Sequence, residues 1–208
     1  MRTLWVAWLV FLGGCVGIPD NVTPVENFEL ERYLGTWYEI ARLDHSFERG
    51  LSRVTAEYRL REDGGVRVVN RGYSEKDREW KEAEGRAYFV DRADQGHLKV
   101  SFFGPFYGSY IVFELDRDSY QYALVSGPDK SYLWILARRP EMGKELKQRL
   151  IAKAAARGFD TSGLIWVAHS RAAVHRSASR EALPNTGGLS RNGRASCVWR
   201  PAVSSAKA

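Results

Sequence analysis

The amino-acid sequence predicts an all-β fold, an eight-stranded antiparallel up-and-down β-barrel with one C-terminal α-helix packed against its outside. Between residues 35 and 138, short runs rich in Val, Tyr, Phe and Thr are separated by Gly, Asp and Pro turns at intervals of about ten residues. Several runs alternate apolar and polar side chains, which is typical of strands with one face in water. Because ring closure removes exposed sheet edges, consecutive strands joined by short turns favour a barrel.

The predicted strands differ in how clearly they distinguish two faces. In the second strand Val54, Ala56, Tyr58 and Leu60 alternate with polar residues, so we expect these four to face inward. The inner face mixes aromatic residues with Ala and Gly, and in an eight-stranded barrel such small residues leave room for one ligand. The predicted strands are residues 36–43, 52–62, 65–74, 79–91, 97–103, 107–116, 120–126 and 131–138.

The first, seventh and eighth strands are apolar on both faces, so another element must cover their outside. Residues 140–158 have a helical pattern that begins at Pro140 and ends at Gly158. A final strand at residues 164–169 can add to the sheet edge. The apolar stripe of the helix, at four-residue spacing, consists of Met142, Leu146, Leu150 and Ala154.

The N-terminus has the pattern of a lipoprotein signal peptide over residues 1–14. Its apolar run is too short to span a bilayer as a helix, which needs about 20 residues. The sequence LGGC resembles a bacterial lipobox, which implies that Cys15 is diacylated and becomes the N-terminus; an ordinary secretory signal with an incidental cysteine is the alternative. Val16 rather than Asp follows the cysteine, which implies anchoring in the outer membrane, facing the periplasm. We interpret residues 15–27 as the lipidated N-terminus and a spacer.

The net charge of +6 comes entirely from the end of the chain. Residues 170–208 hold 7 of the 31 Lys and Arg but only one of the 25 Asp and Glu, which leaves 24 of each sign in residues 1–169. Residues 1–169 are neutral overall and lack the basic face that a nucleic-acid-binding fold needs, so we predict no nucleic-acid partner.

Residues 170–208 are rich in Arg, Ser, Ala and Gly, which is typical of a disordered basic tail; contact with anionic lipid is the alternative.

Motifs of catalysis are absent from the sequence. It contains neither HExxH nor GxSxG, and metal-ligand spacing is absent from its histidines, which are His45, His97, His169 and His175. Asp44 and Glu48 lie in the first long loop, where a solvated charged loop is the expected structure. We therefore predict no catalytic residue, no metal, no cofactor and no enzymatic activity.

The segment GTWYEIARLDHSFERG, residues 35–50, resembles the first signature of the lipocalin family, Gly-x-Trp at the start of the first strand. SFFGPFYGSYIVFELD, ALVSGPDKSYLWILARRP and GFDTSGLIWV follow in the order and spacing of bacterial outer-membrane lipocalins, so the resemblance covers residues 27–169. It implies a lipocalin domain at 28–169, with a structural signature in which Gly35 and Trp37 start the first strand and Arg138 packs on the indole across the closed end. It also implies lipid ligands, such as fatty acids or lysophospholipids.

The predicted cavity wall combines apolar surface with a few polar groups that could meet a head group. For each wall residue, ordinary core packing is the alternative, and a structural envelope lipoprotein without a ligand is the alternative function. For Glu39 the alternatives are an ion pair with an arginine and contact with a head group. The oligomeric state stays open, a homodimer included. The candidate ligand-binding residues are Tyr58, Asn70, Phe89, Phe102, Tyr110, Ile111, Phe113, Tyr122 and Trp134.

Overall fold

The computed structural model describes residues 16–170. The predicted signal peptide, Cys15 and the tail after Ser170 lie outside this range. The predicted fold is confirmed: eight antiparallel strands form a closed ring, and one helix packs on its outside. Within residues 16–170, neither helix is both long and apolar enough to cross a membrane.

The elements follow one another in the predicted order, with a short helix added before the first strand. They are α1 (Leu30–Tyr33), β1 (Gly35–Arg42), β2 (Leu51–Leu60), β3 (Val66–Ser74), β4 (Glu79–Phe89), β5 (His97–Phe103), β6 (Phe106–Leu115), β7 (Tyr122–Ser126), β8 (Leu133–Ala137), α2 (Lys144–Ala156) and β9 (Ile165–Trp166).

Each strand from β2 to β8 pairs with its neighbours in sequence, and β1 closes the ring. The first half of β1 pairs with β2, with Gly35 opposite Tyr58, while Tyr38 lies opposite Ala137 of β8. Beyond its pairing with β2, the end of β1 pairs with β9. All of these pairs are antiparallel, which explains why turns of a few residues suffice to connect them.

Two hydrophobic clusters occupy the two faces of the barrel wall. The inner cluster surrounds the barrel axis and its closed end; it includes Tyr33, Trp37, Tyr58, Val66, Val68, Val112 and Val125. The outer cluster lies between the wall and α2; it includes Ile40, Ala41, Ile111, Phe113, Leu124, Ile135, Leu150 and Ala154. The expected cover for the strands that are apolar on both faces is therefore present.

Helix α2 begins later than the sequence pattern predicts. Gly143 is its N-cap, so Pro140 lies before the helix rather than at its first turn. Its end agrees with the pattern, since Gly158 has a φ of 85° and its N–H bonds to the carbonyl of Ala155. Leu150 and Ala154 are buried against the barrel, and Met142 and Leu146 pack at the margin of the outer cluster.

Residues 16–27, which we interpreted as a spacer, lie against the barrel. The Val25 N–H donates to the carbonyl of Val112 at 2.8 Å, and the Val25 carbonyl accepts from the N–H of Gly96 at 2.8 Å. Val25 is also buried in the inner cluster. This segment therefore forms part of the folded domain.

One end of the barrel is closed by Trp37 and Arg138. Trp37 is fully buried, its indole N–H donates to the carbonyl of Tyr33, and the Arg138 guanidinium lies 4.0 Å from the ring centroid. That guanidinium also donates to the backbone carbonyls of Arg32, Leu34 and Thr36 at 2.7–2.9 Å. The arginine therefore joins the chain after β8 to the segment that connects α1 with β1.

Gly35 permits this arrangement through its backbone conformation. Its φ of 91° lies in the region that side chains other than glycine avoid. The turn from α1 into β1 depends on that conformation, which explains the glycine of the Gly-x-Trp signature in physical terms.

Replacement of Trp37 by alanine should reduce the free energy of unfolding by about 3–5 kcal/mol, because a large, fully buried side chain is lost and the Arg138 guanidinium loses its stacking partner. Chemical denaturation of the purified domain measures this. The matched control is Trp80→Ala, because Trp80 lies on the outer surface and is 44% exposed; it should cost about 1 kcal/mol or less. Equal losses for the two variants would contradict the role of Trp37 in closing the barrel.

Candidate functional site

A cavity of about 410 Å³ lies inside the barrel, above the closed end. Its walls come from β1 to β6 and from β8, and from α1 below. Small side chains at Ala56 and Ala87 contribute to the open space, and Val54, Val68 and Val100 add apolar surface. The volume lies within the range of about 300–1,000 Å³ that is usual for small-molecule sites.

Five of the nine candidate ligand-binding residues line this cavity: Tyr58, Asn70, Phe102, Tyr110 and Trp134. The structure places a sixth, Phe89, against the inner cluster, where it contacts Phe28 rather than the open space. The strands in which sequence alternation is clear, β2 to β5, contribute Tyr58, Asn70 and Phe102.

The other three candidates lie on the opposite face of the wall, which corrects the expectation that they face the ligand. Ile111 and Phe113 are buried in the outer cluster, and Tyr122 packs at its margin. Phe113 stacks on Phe159 at a centroid distance of 5.4 Å. Because β6 and β7 are buried on both faces, their alternation does not indicate which face is inward.

The mouth of the cavity carries aromatic side chains from the loops opposite the closed end. Phe47 comes from the loop between β1 and β2, Phe103 and Phe106 from the β5–β6 hairpin, and Tyr132 from the β7–β8 loop. Phe106 is 56% exposed, so apolar surface reaches the rim. An apolar ligand thus meets hydrophobic contacts from its point of entry.

A buried group of charged residues lies in the wall beside the mouth; of the two alternatives for Glu39, the structure shows the contact with an arginine, whereas the burial of Glu48 was not predicted from the sequence. Arg42 is buried and donates to the Glu39 carboxylate at 2.6 Å and to the backbone carbonyl of Glu48 at 2.7 Å. The Glu48 carboxylate lies 3.0 Å from His45 Nε2 and accepts from the indole N–H of Trp134 at 3.0 Å. Both carboxylates line the cavity.

The arrangement corrects two expectations from the sequence. Glu48 was expected in a solvated loop, but it is buried; Asp44 is exposed as expected and pairs with Arg49 at 2.7 Å. Strict alternation along β1 would put Ala41 on the same face as Glu39, but Ala41 lies in the outer cluster. A β-bulge between Glu39 and Ala41 causes this change of face, because one extra residue in a strand shifts every later side chain to the other side.

Burial determines the protonation of Glu39 more than any neighbour does. Removal from water raises the pKa of Glu39 well above its ordinary value, and the nearby Glu48 carboxylate raises it further, against the opposing effect of Arg42. Burial alone would also raise the pKa of Glu48, but its contacts with His45 and Trp134 outweigh burial and lower it. The two carboxylates therefore differ: Glu48 carries the negative charge and Glu39 retains its proton to higher pH.

Within residues 16–170, no group of three or more His, Cys, Asp and Glu side chains has the arrangement of a metal site.

A family model, described as a lipocalin-like domain, matches residues 28–169. The chain belongs to the lipocalin family. Its signature residues Gly35, Trp37 and Arg138 occupy the closed end in this lipocalin, as the resemblance implied.

Two relatives named outer membrane lipoprotein Blc resemble this lipocalin over most of their length. The protein from Vibrio cholerae is 63% identical over 158 residues, which cover 76% of this chain and 92% of the relative. That from Escherichia coli K12 is 57% identical over 149 residues, 72% of this chain and 84% of the relative. Among solved structures, insecticyanin from the tobacco hornworm Manduca sexta superposes with a TM-score of 0.60 at 24% identity, covering 76% of this chain and 89% of that one. At that identity the last comparison supports the fold alone.

The raised pKa of Glu39 predicts a specific pH dependence of stability. Above the ordinary pKa of a glutamate, the unfolded protein has lost a proton that the native protein retains. The stabilisation from Glu39 is therefore full at low pH and is lost as the pH rises through the raised native pKa. Relative to wild type, Glu39→Gln should remove this loss, as measured by chemical denaturation from about pH 4 to about pH 9.

The control for this experiment is Glu82→Gln, because Glu82 is exposed on the outer surface of β4. Its stability should follow the wild-type pH profile throughout. If Glu39→Gln also runs parallel to wild type, the buried carboxyl does not retain its proton and the assignment is wrong.

Proposed function

We propose that this lipocalin binds a single lipid, such as a fatty acid or a lysophospholipid, with the acyl chain inside the barrel and the head group at the mouth. The observation that carries the proposal is the apolar cavity, closed by Trp37 and Arg138 at one end and rimmed by aromatic residues at the other. The relatives named outer membrane lipoproteins support a site of action at the outer membrane. Binding or transport rather than catalysis is the role that membership of the lipocalin family supports.

The charges around the cavity favour this orientation. Within the described part of the chain, the acidic residues that line the cavity are Glu39 and Glu48, of which Glu48 carries the charge, and the lining includes no Lys or Arg. An anionic head group that passed them into the apolar interior would meet no cation in the lining and would cost several kcal/mol. At the mouth it stays hydrated, and apolar contacts then determine the affinity.

Polar side chains near the cavity can form hydrogen bonds with a ligand, in addition to the apolar contacts. The side-chain oxygen of Asn70 is buried and has no hydrogen-bond partner within residues 16–170. It can accept a hydrogen bond from a glycerol hydroxyl or an amine of a head group. Arg49 and Arg53, in and after the loop between β1 and β2, are already engaged by Asp44 and by Glu75 and Tyr73 respectively. Recognition of the head group therefore does not depend on free cations from these two residues.

Affinity for saturated fatty acids should increase with chain length until the cavity is full and should depend weakly on salt, because hydrophobic burial supplies about 0.8 kcal/mol per methylene. Fluorescence titration at low and high ionic strength measures both. Ala56→Phe, which places a bulky ring inside the cavity, should weaken binding at least about ten-fold. The matched control is Thr55→Phe, the neighbouring residue on the opposite face of β2, which should bind like wild type.

Two results would contradict the proposal. One is an affinity that does not change with chain length and collapses in high salt, which would mean that the protein recognises the head group. The other is equal binding by the Ala56 and Thr55 variants, which would place the ligand outside the barrel.

We also propose that Cys15, which lies outside the described residues, carries the acyl anchor and holds the domain on the periplasmic face of the outer membrane.

Cys15→Ala should release the protein into the soluble periplasmic fraction. Stable anchoring needs more than one acyl chain, and in this proposal Cys15 carries all of the acyl chains. Membrane fractionation with incorporation of labelled palmitate measures this. Cys197→Ala, at the only other cysteine, is the control and should stay membrane-bound. Membrane retention of Cys15→Ala would refute the anchor.

A further inference from the structure

Three tyrosine hydroxyls meet inside the cavity. Tyr33 comes from α1, Tyr58 from β2 and Tyr110 from β6, and all three side chains line the open space. The Tyr110 oxygen lies 2.8 Å from that of Tyr33 and 2.8 Å from that of Tyr58. We call these three residues the tyrosine triad. Three elements distant in sequence thus place their polar atoms together in an otherwise apolar wall.

The hydrogen atoms of the triad exceed its internal hydrogen bonds. Each phenol carries one O–H, so three donors serve two oxygen–oxygen contacts. Whichever direction the two bonds take, one O–H is left over, and the three hydroxyls have no further hydrogen-bond partner within residues 16–170. A buried donor without an acceptor is unfavourable by about 1–3 kcal/mol. An acceptor inside the cavity is what the triad lacks.

The surroundings keep the triad in its donor form and favour an acceptor. Burial raises the pKa of all three phenols above the ordinary value, so they stay protonated across the physiological range. Arg138 lies below them, on Trp37, whose ring contacts that of Tyr33 in a tilted arrangement at a centroid distance of 4.6 Å. The nearby positive charge favours an oxygen with partial negative charge in the space above.

The triad lies toward the closed end of the barrel. Tyr58 is paired with Gly35, the first residue of β1, and Tyr33 belongs to the helix that precedes the closure. A lipid that enters chain-first therefore brings the distal part of its acyl chain to the triad. A saturated hydrocarbon chain has no acceptor to offer there, whereas a hydroxyl or ketone on the chain does.

We propose that the tyrosine triad is a hydrogen-bonding subsite for an oxygen atom on the acyl chain, remote from the head group, and that the protein prefers oxygenated chains over plain ones. A hydroxyl suits the site because it can accept from the free O–H and donate to one of the remaining phenol oxygens. This inference rests on the proposed function, since it assumes that the acyl chain occupies the cavity.

The test compares palmitic acid with ω-hydroxypalmitic acid by competition titration on the wild-type protein and on the variant Tyr33→Phe/Tyr58→Phe/Tyr110→Phe, which keeps the rings and removes every donor. The ratio of the two affinities should shift toward palmitic acid by roughly five-fold or more in the variant. Hydroxyl groups placed at successive chain positions should give a maximum where the oxygen reaches the triad. Tyr122→Phe, whose hydroxyl lies on the outer surface beside Arg149, is the control and should leave the ratio unchanged.

The outcomes distinguish the two proposals. An affinity ratio that is the same in wild type and triple variant would mean that water satisfies the free donor, and it would overturn the subsite while the proposed function stands. Failure of both acids to bind the wild type would overturn the proposed function itself. An (ω−1)-keto acid on the wild-type protein gives a readout that does not depend on the folding of the variant: its ketone C=O stretch should lie at lower frequency than in alkane, and an alkane-like frequency would overturn the subsite.

Discussion

The contact between the Arg138 guanidinium and the Trp37 indole decides which end of this barrel is closed. The guanidinium would be costly to remove from water alone, but an aromatic face and several backbone carbonyls replace its hydration. Because those carbonyls belong to the segment between α1 and β1, the contact also positions Tyr33 in the cavity wall. A cavity with one closed end has a single direction of entry, and the orientation of any bound chain follows from that.

Polarity is distributed along the cavity in three levels. Carboxylates, an arginine and a histidine lie beside the mouth, valines and alanines occupy the middle, and phenol hydroxyls lie toward the closed end. In the upper level Arg42 bridges Glu39 and the backbone of Glu48, while Arg42 Nε and His45 Nδ1 have no hydrogen-bond partner within residues 16–170. In the middle level the wall is mostly apolar, and Asn70, opposite Ala56, adds one polar side chain to it. A ligand is therefore distinguished mainly by its two ends, while its central part contributes burial.

The sequence predicted the architecture because the physical signals for it are local. Alternation in β2 to β5 places Tyr58, Asn70 and Phe102 in the cavity wall, since the outer face of these strands is wet. Leu60, also expected to face inward, is 56% exposed at the end of β2. Where a strand is buried on both sides, both of its faces carry apolar residues, so alternation does not identify the inward face. Phe113 was therefore assigned to the cavity although it packs under α2.

Other features depend on contacts that no local pattern encodes. The β-bulge in β1 changes the face of Ala41, and only pairing with β8 shows it. The burial of Glu48 depends on Trp134, 86 positions away in sequence. Helix α1 has four residues, which is too short for a periodic signal, so Tyr33 was not a candidate although it lines the cavity. Long-range pairing, rather than composition, builds these parts of the site.

The pairing of β1 with β8 also limits how fast this protein can reach its native state. The Arg138 bond to Thr36 connects residues 102 positions apart, and no pairing between neighbouring strands can substitute for it. Topologies that depend on such distant contacts fold slowly, because the entropy of a long loop is lost before the contact forms. β1 comes first along the chain and β8 almost last, so both edges of the incomplete sheet stay unpaired until β8 is in place. The closed end is thus the last part of the ring to be completed, and a chain interrupted before β8 cannot form it.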